Sequence, residues 1–222
     1  MIVSTPQGCL AMPPGGKGFG VLVLHPWWGL NETIRDVCNR LAEAGFTAFA
    51  PDLYHGKLAT TIADAESLSE ALDAGQAMGD VMAGVDFLSQ HCAHPEQGLA
   101  VIGFSLGAYF ALQLSMADPT RIKAVVLFYG TGPGDFSAAR AAYLGHFAEN
   151  DPYEPAEYVG SLEQSLRAAG RPVTFHRYPG TGHWFFEADR AEAYNPAAAS
   201  LAWERTLVFL TDYATICMNK FG

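Results

Sequence analysis

The chain contains 222 residues, of which half are apolar and 16% are charged, and its formal net charge is −10. This length and composition predict a single soluble globular domain over residues 1–222 and argue against two domains. The acidic balance argues against nucleic acid or an anionic membrane surface as a partner.

Short apolar runs alternate with amphipathic segments along the first part of the chain. The Pro/Gly-rich residues 13–16 predict a turn between two early strands. Gly20–Leu24 is a continuous apolar run, as expected for a strand buried on both faces. Asn31 is the predicted N-cap of a helix that Gly45 ends, and Thr47–Ala50 is the next predicted strand.

The same alternation continues to the end of the chain and predicts the fold class. Residues 64–92 are expected to be largely helical, with a break near Gly75 or Gly79. Alternating strands and helices predict an α/β fold, with a doubly wound, mostly parallel sheet and helices on both faces. Further strands are predicted at Leu99–Phe104, Ala124–Tyr129, Ala142–Phe147 and Val173–Tyr178, and further helices at Leu106–Met116, Ala156–Ala169 and Pro196–Tyr213.

Chemistry is expected where strands of such a sheet end, and one motif lies at that position. Residues 103–107 read Gly-Phe-Ser-Leu-Gly, between a predicted strand and a predicted helix. A sharp turn there strains the backbone of Ser105 and favours glycine on both sides. Ser105 is therefore the predicted nucleophile, although the bare pattern also occurs in structural turns.

A serine hydroxyl needs a base, and the base needs an orienting carboxylate. His183 follows a predicted strand in a glycine-rich turn and is the predicted base. The acid is expected between serine and histidine in the chain, which favours Asp151. Glu149 is a close alternative, whereas Asp135 is expected to be a turn residue.

Backbone donors for a developing oxyanion are expected in two places. One is the N–H of Leu106, directly after the serine. The other lies in the loop after Gly20–Leu24, where Pro26 has no N–H and Trp27 is the better candidate. The tryptophans of this loop are alternatively plain packing residues.

The remaining histidines carry weaker predictions. His55 is a candidate pocket residue, because it follows a strand. His146 lies in a predicted strand and is expected to be packed. His176 lies in another predicted strand and is expected to be exposed. His91, Cys92 and His94 lie close together, but without a fourth ligand we expect no metal site.

Together these residues resemble the dienelactone hydrolase family, from about Gly20 to the closing helix. The resemblance implies a compact α/β-hydrolase fold without a large lid and without a cofactor. It also implies a nucleophile–His–Asp triad, which falls on Ser105, His183 and Asp151. The markers are HPWWGLN (25–31), APDLY (50–54), GFSLGA (103–108), ENDP (149–152) and GTGHWF (180–185).

Three departures from the family bear on the substrate. The best-known members have a cysteine nucleophile, a glutamate where this chain has Pro26, and an arginine shortly after the catalytic histidine. Here residues 184–187 read Trp-Phe-Phe-Glu, and Glu187 would repel a carboxylate. A pocket of aromatic side chains therefore predicts a neutral, fairly apolar substrate: Trp27, Trp28, Trp184 and Phe185.

The resulting hypothesis is a serine hydrolase that cleaves a small carboxylic ester or lactone through an acyl-enzyme. Alternatives are thioester hydrolysis or acyl transfer by the same triad, and a non-catalytic ligand-binding protein on this fold. The scattered cysteines predict reduced thiols. With no signal peptide or membrane span predicted, we expect a cytoplasmic monomer or small homo-oligomer.

Overall fold

The strands of the computed structural model form one twisted sheet of eight members. The structure describes residues 2–5 and 8–219. In the sheet the strands lie in the order β1-β2-β4-β3-β5-β6-β7-β8, and only the pairings of β2 are antiparallel. The strands are β1 Ile2–Thr5, β2 Gly8–Ala11, β3 Gly20–Leu24, β4 Thr47–Pro51, β5 Leu99–Phe104, β6 Ile122–Phe128, β7 Ala142–Ala148 and β8 Val173–Tyr178.

Helices cover both faces of the sheet, which confirms the doubly wound α/β prediction. One core cluster contains the apolar sides of α1 and α6, and a second contains those of α3, α4 and α5. In the described part of the chain, no helix has the length and hydropathy that crossing a membrane requires. The helices are α1 Glu32–Glu43, α2 Ile62–Glu70, α3 Ala74–His91, α4 Leu106–Ala117, α5 Ala156–Ala168 and α6 Pro196–Asn219.

Three of the parallel strands lie where the sequence predicted them. β3, β5 and β8 match the predicted bounds to the residue. Every residue of β3 and β5 is buried, as expected for strands covered on both faces. The N-cap of α1 is also confirmed, because the Asn31 side chain accepts a hydrogen bond from the Ile34 N–H.

Two helix boundaries differ from the predictions. The break in residues 64–92 lies at residues 71–73, because Asp73 caps α3 by accepting a hydrogen bond from the Gln76 N–H. Gly75 and Gly79 instead lie inside α3. The closing helix α6 continues past Tyr213 to Asn219, and its sequence contains no glycine or second proline to stop it.

The register of the parallel strands brings their carboxyl ends to one edge of the sheet. Leu24 pairs with Gly103, and Phe104 pairs with Phe128. On the far side, Ala148 at the end of β7 pairs with Tyr178 at the end of β8. The loops after β3, β5, β6, β7 and β8 therefore leave from the same edge, which no large lid covers in the described residues.

A buried chain of hydrogen bonds joins α6 to β7 and β8. Arg205 donates to the Tyr178 oxygen at 3.2 Å, and the Tyr178 hydroxyl donates to His146 Nδ1 at 2.8 Å. His146 Nε2–H donates to Thr206 Oγ1 at 3.0 Å, since the Thr206 hydroxyl itself donates to the Ala202 carbonyl. The chain fixes His146 as a neutral Nε2–H tautomer, and burial lowers its pKa well below the usual value.

Because His146 is buried in its neutral form, we expect the folded protein to be destabilised at acidic pH. Below a pH of about 6.5 the unfolded chain gains a proton at His146 that the folded chain does not accept. The free energy of unfolding therefore decreases as the pH is lowered. We expect His146→Leu to remove part of that pH dependence, up to about 1.4 kcal/mol per pH unit, while lowering stability at pH 7.5. Urea unfolding at pH 7.5 and 5.0 measures both effects. His94→Gln, at an exposed histidine, is the control, and an equal change in its pH slope would contradict the prediction.

Candidate active site

Ser105 lies on a strained turn between β5 and α4. Its φ is 49° and its ψ is −111°, a conformation that non-glycine residues rarely adopt. A Cβ at Gly103 would lie 2.4 Å from the Gly107 carbonyl oxygen, and a Cβ at Gly107 would lie 2.2 Å from the Leu24 oxygen. Both glycines are therefore required by close backbone approach, as the sequence predicted for this motif.

Ser105, His183 and Asp151 meet at the carboxyl edge of the sheet. His183 Nε2 lies 3.0 Å from Ser105 Oγ, and His183 Nδ1 lies 2.7 Å from Asp151 Oδ2. The Asp151 carboxylate accepts the Nδ1–H, which leaves Nε2 free to accept the serine proton. The side chains of the acid and the base are only 3% and 4% exposed, so their interaction is shielded from water.

The other oxygen of Asp151 is also held. Asp151 Oδ1 accepts the backbone N–H groups of Tyr153 and Glu154, at 2.9 and 3.1 Å. The alternative acid, Glu149, is exposed and accepts the Gly180 N–H instead. Asp135 accepts the N–H of the residue two positions on, as expected for a turn. Of the three acids considered, the structure brings Asp151 to the histidine.

The two predicted oxyanion donors lie at the start of α4 and in the loop after β3. Leu106 is the first residue of α4, so its N–H has no acceptor within the helix. In the described residues, neither this N–H nor that of Trp27 donates to another protein group. A Cβ at Gly107 would also lie 2.8 Å from the His25 carbonyl oxygen. The loop after β3 therefore packs directly on the first turn of α4.

Four aromatic side chains form a wall beside His183, and we call them the aromatic wall: Trp27, Trp28, Tyr153 and Trp184. The ring of Trp184 stacks on that of Trp27, with centroids 6.0 Å apart. The Tyr153 ring lies 5.0 Å from the His183 ring. A cavity of about 420 Å³ opens here, lined by Trp28, Tyr153, Trp184 and His183 among others.

The same cavity contains an arginine that sequence reasoning missed. The Arg190 guanidinium lies 3.9 Å from the centroid of the Trp28 ring and pairs with Asp189 at 3.0 Å. Asp189 also accepts hydrogen bonds from Asn31 and Thr33 in the first turn of α1. The sequence places Arg190 seven residues after His183, a spacing that a search directly after the histidine overlooks.

Two predicted pocket residues lie elsewhere. Phe185 is fully buried in the core, where its ring contacts the rings of Tyr129 and Tyr178. The backbone turns at Trp184, whose φ is 66°, so the Trp184 side chain lines the cavity and that of Phe185 does not. His55 is exposed and pairs with Asp80 at 2.8 Å, on a separate cavity. Neither side chain lines the cavity beside His183, so the substrate-binding prediction is wrong for both residues in this structure.

The histidine–cysteine cluster does not assemble a metal site. His91 Nδ1 lies 2.7 Å from the Phe87 carbonyl oxygen, and His94 lies 3.4 Å from a carboxylate oxygen of Glu96. Among the residues that the structure describes, no group of three or more His, Cys, Asp or Glu side chains is placed to hold a metal ion.

Glu187 does not face the cavity, which corrects the argument that it would repel a carboxylate. Its side chain is fully buried, and its Oε1 accepts the Tyr129 hydroxyl at 2.8 Å. Its Oε2 has no hydrogen-bond partner among the described residues. Burial raises the pKa of Glu187 to about 8, so the carboxyl is largely protonated at neutral pH. The Tyr129 ring in turn lies 4.9 Å from the His183 ring.

Comparison with known proteins identifies relatives over nearly the whole chain. The model of the dienelactone hydrolase family matches residues 7–214. The chain is 32% identical to the protein usf of Aquifex pyrophilus, covering 94% of each. It is 31% identical to a probable 2-oxo-3-(5-oxofuran-2-ylidene)propanoate lactonase of Bradyrhizobium sp, covering 88% of this chain and 84% of the relative.

The solved structures agree with the sequence relatives. A putative dienelactone hydrolase from Klebsiella pneumoniae superposes with a TM-score of 0.83 at 25% identity, covering 95% of this chain and 97% of that one. This similarity confirms the α/β-hydrolase fold implied by the sequence resemblance.

The stability of the protein is also expected to depend on pH through Glu187, with a sign opposite to that of the His146 effect. Its folded-state pKa of about 8 lies above the unfolded value, so the free energy of unfolding falls as pH rises from about 4.5 toward 8. We expect Glu187→Gln to be more stable than the wild type at pH 7.5, by on the order of 4 kcal/mol, with the difference nearly gone at pH 4.5. Urea unfolding at the two pH values measures it. Glu192→Gln, at an exposed carboxylate of the same loop, is the control. A Glu187→Gln advantage that did not change with pH would contradict the assignment.

Proposed function

Because the chain belongs to the dienelactone hydrolase family and is a hydrolase of carboxylic esters or lactones, we propose that Ser105 is its nucleophile. One observation carries the proposal. Ser105 lies on a strained strand-to-helix turn with its Oγ 3.0 Å from His183 Nε2, and His183 Nδ1 lies 2.7 Å from Asp151. Such an arrangement activates a hydroxyl at neutral pH.

The acylation step follows from this geometry. Ser105 Oγ attacks the carbonyl carbon while His183 Nε2 takes the hydroxyl proton, and the carbonyl π electrons move onto the oxygen. Asp151 keeps the imidazole in the Nδ1–H tautomer and stabilises the imidazolium that forms. When the tetrahedral intermediate collapses, the bond to the leaving oxygen breaks and His183 returns the proton to it. In a lactone, that alcohol stays attached to the acyl group.

Deacylation repeats the sequence with water. His183 takes a proton from water, the hydroxide attacks the acyl carbon, and the Ser105 oxygen leaves with the proton from His183. In both steps, the N–H groups of Leu106 and Trp27 hold the oxyanion. Free N–H donors at these positions support that role, because they need no reorganisation when charge develops.

The aromatic wall and the state of Arg190 support a neutral, fairly apolar substrate. The guanidinium lies over Trp28 and is paired with Asp189, so its charge is compensated inside the protein. The cavity beside His183 is lined by rings of the aromatic wall and by three charged side chains, Asp189, Arg190 and Glu192, which together carry no net positive charge. A volume of about 420 Å³ beside His183 lies within the usual range for small-molecule sites.

Covalent serine catalysis is tested with p-nitrophenyl acetate and a fluorophosphonate probe. We expect a burst of p-nitrophenol from the wild type and probe attachment at Ser105 in the mass spectrum. Ser105→Ala is expected to lower kcat by on the order of 10³-fold or more and to abolish attachment. Ser137→Ala, at an exposed serine, should behave as the wild type. Full turnover by Ser105→Ala would overturn the proposal.

Substrate charge is tested with two esters of equal length, phenyl butyrate and monophenyl succinate. We expect kcat/KM to be at least about tenfold higher for the neutral butyrate, because the carboxylate of the succinate would lose hydration without gaining an unpaired cation. Equal or better turnover of the succinate, lost in Arg190→Gln, would show instead that Arg190 recognises a carboxylate.

A further inference from the structure

His25, the first residue after β3, is fully buried and makes two hydrogen bonds to backbone groups. The Leu53 N–H lies 3.1 Å from Nε2, and the Pro26 carbonyl oxygen lies 2.7 Å from Nδ1. An N–H group only donates, so Nε2 is the unprotonated nitrogen and Nδ1 carries the hydrogen. The Leu53 N–H thus fixes the tautomer in which Nδ1–H donates to Pro26. Burial lowers the pKa of His25, which keeps the ring neutral.

The bond to Pro26 constrains a particular N–H. The Pro26 carbonyl and the Trp27 N–H belong to the same peptide unit, and none of the described peptide bonds is cis. In a planar trans peptide the N–H and the C=O point in opposite directions. A side chain that fixes the Pro26 oxygen therefore fixes the direction of the Trp27 N–H. The Gly29 N–H donates to the same oxygen at 3.1 Å, so this carbonyl is held by two donors.

The constrained peptide lies in the loop that packs on the nucleophile. Leu24, directly before His25, pairs with Gly103 two residues before Ser105. The His25 carbonyl oxygen lies close enough to α4 that only glycine fits at position 107. The Pro26–Trp27 peptide thus follows directly on a segment that is packed against the first turn of α4.

We propose that His25 is a positioning residue of the oxyanion hole, which orients the Trp27 N–H through the Pro26 carbonyl. The inference rests on the proposed function, in which Trp27 is one of the two oxyanion donors. His25 does not touch the substrate. Its effect falls on the transition state, because a donor aimed in advance stabilises developing charge without a cost of reorganisation.

Two substitutions separate the two hydrogen bonds of His25. In His25→Asn the amide nitrogen lies near the former Nδ1 and can still donate to Pro26. In His25→Gln the amide oxygen lies near the former Nε2 and can accept from Leu53, but no donor reaches Pro26. We expect His25→Gln to lower kcat for p-nitrophenyl acetate by roughly 10–100-fold with KM within about threefold, and His25→Asn to stay within about fivefold of the wild type.

The affinity for a transition-state analogue reports on the oxyanion hole, and it would not change if His25 had only a structural role. An aryl trifluoromethyl ketone forms an oxyanion on Ser105, so its affinity should fall with kcat in His25→Gln and recover in His25→Asn. His146→Leu, which alters another buried histidine, should lose stability without losing this affinity. Equal kcat losses in both His25 variants, or no loss in His25→Gln, would overturn the inference.

Two controls distinguish failure of the positioning role from failure of the proposed function or of folding. If the wild type is not labelled at Ser105 by the fluorophosphonate, the proposed function fails; if it is labelled and His25→Gln keeps its kcat, only the positioning role fails. Should neither variant fold, nitrogen-15 NMR of the wild-type histidines reports the tautomer directly. The Nδ1–H form of His25 is expected, and the Nε2–H form would overturn the inference.

Discussion

The positive φ of Ser105 is the constraint on which the site depends. It is maintained by neighbours on two other strands, because the Ser105 N–H donates to Phe128 at the end of β6 and Gly107 packs on Leu24 at the end of β3. Strain of this kind costs about 1–3 kcal/mol and persists only where surrounding structure fixes it. The two core clusters that enclose β3, β5 and β6 supply that surrounding structure. The Ser105 side chain is thus positioned by the sheet rather than by its own loop.

Three buried histidines illustrate how neighbours select a tautomer. His183 has Nδ1–H directed at a carboxylate, and His25 has Nδ1–H directed at a carbonyl. His146 has the opposite tautomer, because a tyrosine hydroxyl donates to its Nδ1. Burial lowers the pKa of His25 and of His146, which carry structural hydrogen bonds. Among the three rings, that of His183 is the one whose unprotonated nitrogen faces the hydroxyl of Ser105 on the strained turn.

The sequence was informative where strands are continuous apolar runs and uninformative where loops decide which way a side chain faces. Ser105 could be found because it follows such a run, and His183 because it follows a predicted strand; the glycine-rich turns of both are visible in the sequence. The inward orientation of Phe185 depends on the positive φ of the residue before it, which no periodicity reports. Glu187 reads as a charge near the site, yet burial makes it largely neutral, and Arg190 reaches the cavity only because its loop folds back over Trp28.

The three hydrogen-bonding partners of Asp189 join the two sides of the cavity. Asn31 and Thr33 continue from the loop after β3, whereas Arg190 belongs to the loop after His183. Hydrogen bonds thereby join the segment after β3 to the loop after His183. Transfer of only one of these segments between relatives would separate Asp189 from Asn31 and Thr33. Either the Asp189 carboxylate or the two donors would then lack a partner. We therefore expect a joint exchange of the two segments to keep these hydrogen bonds and an exchange of one segment to break them.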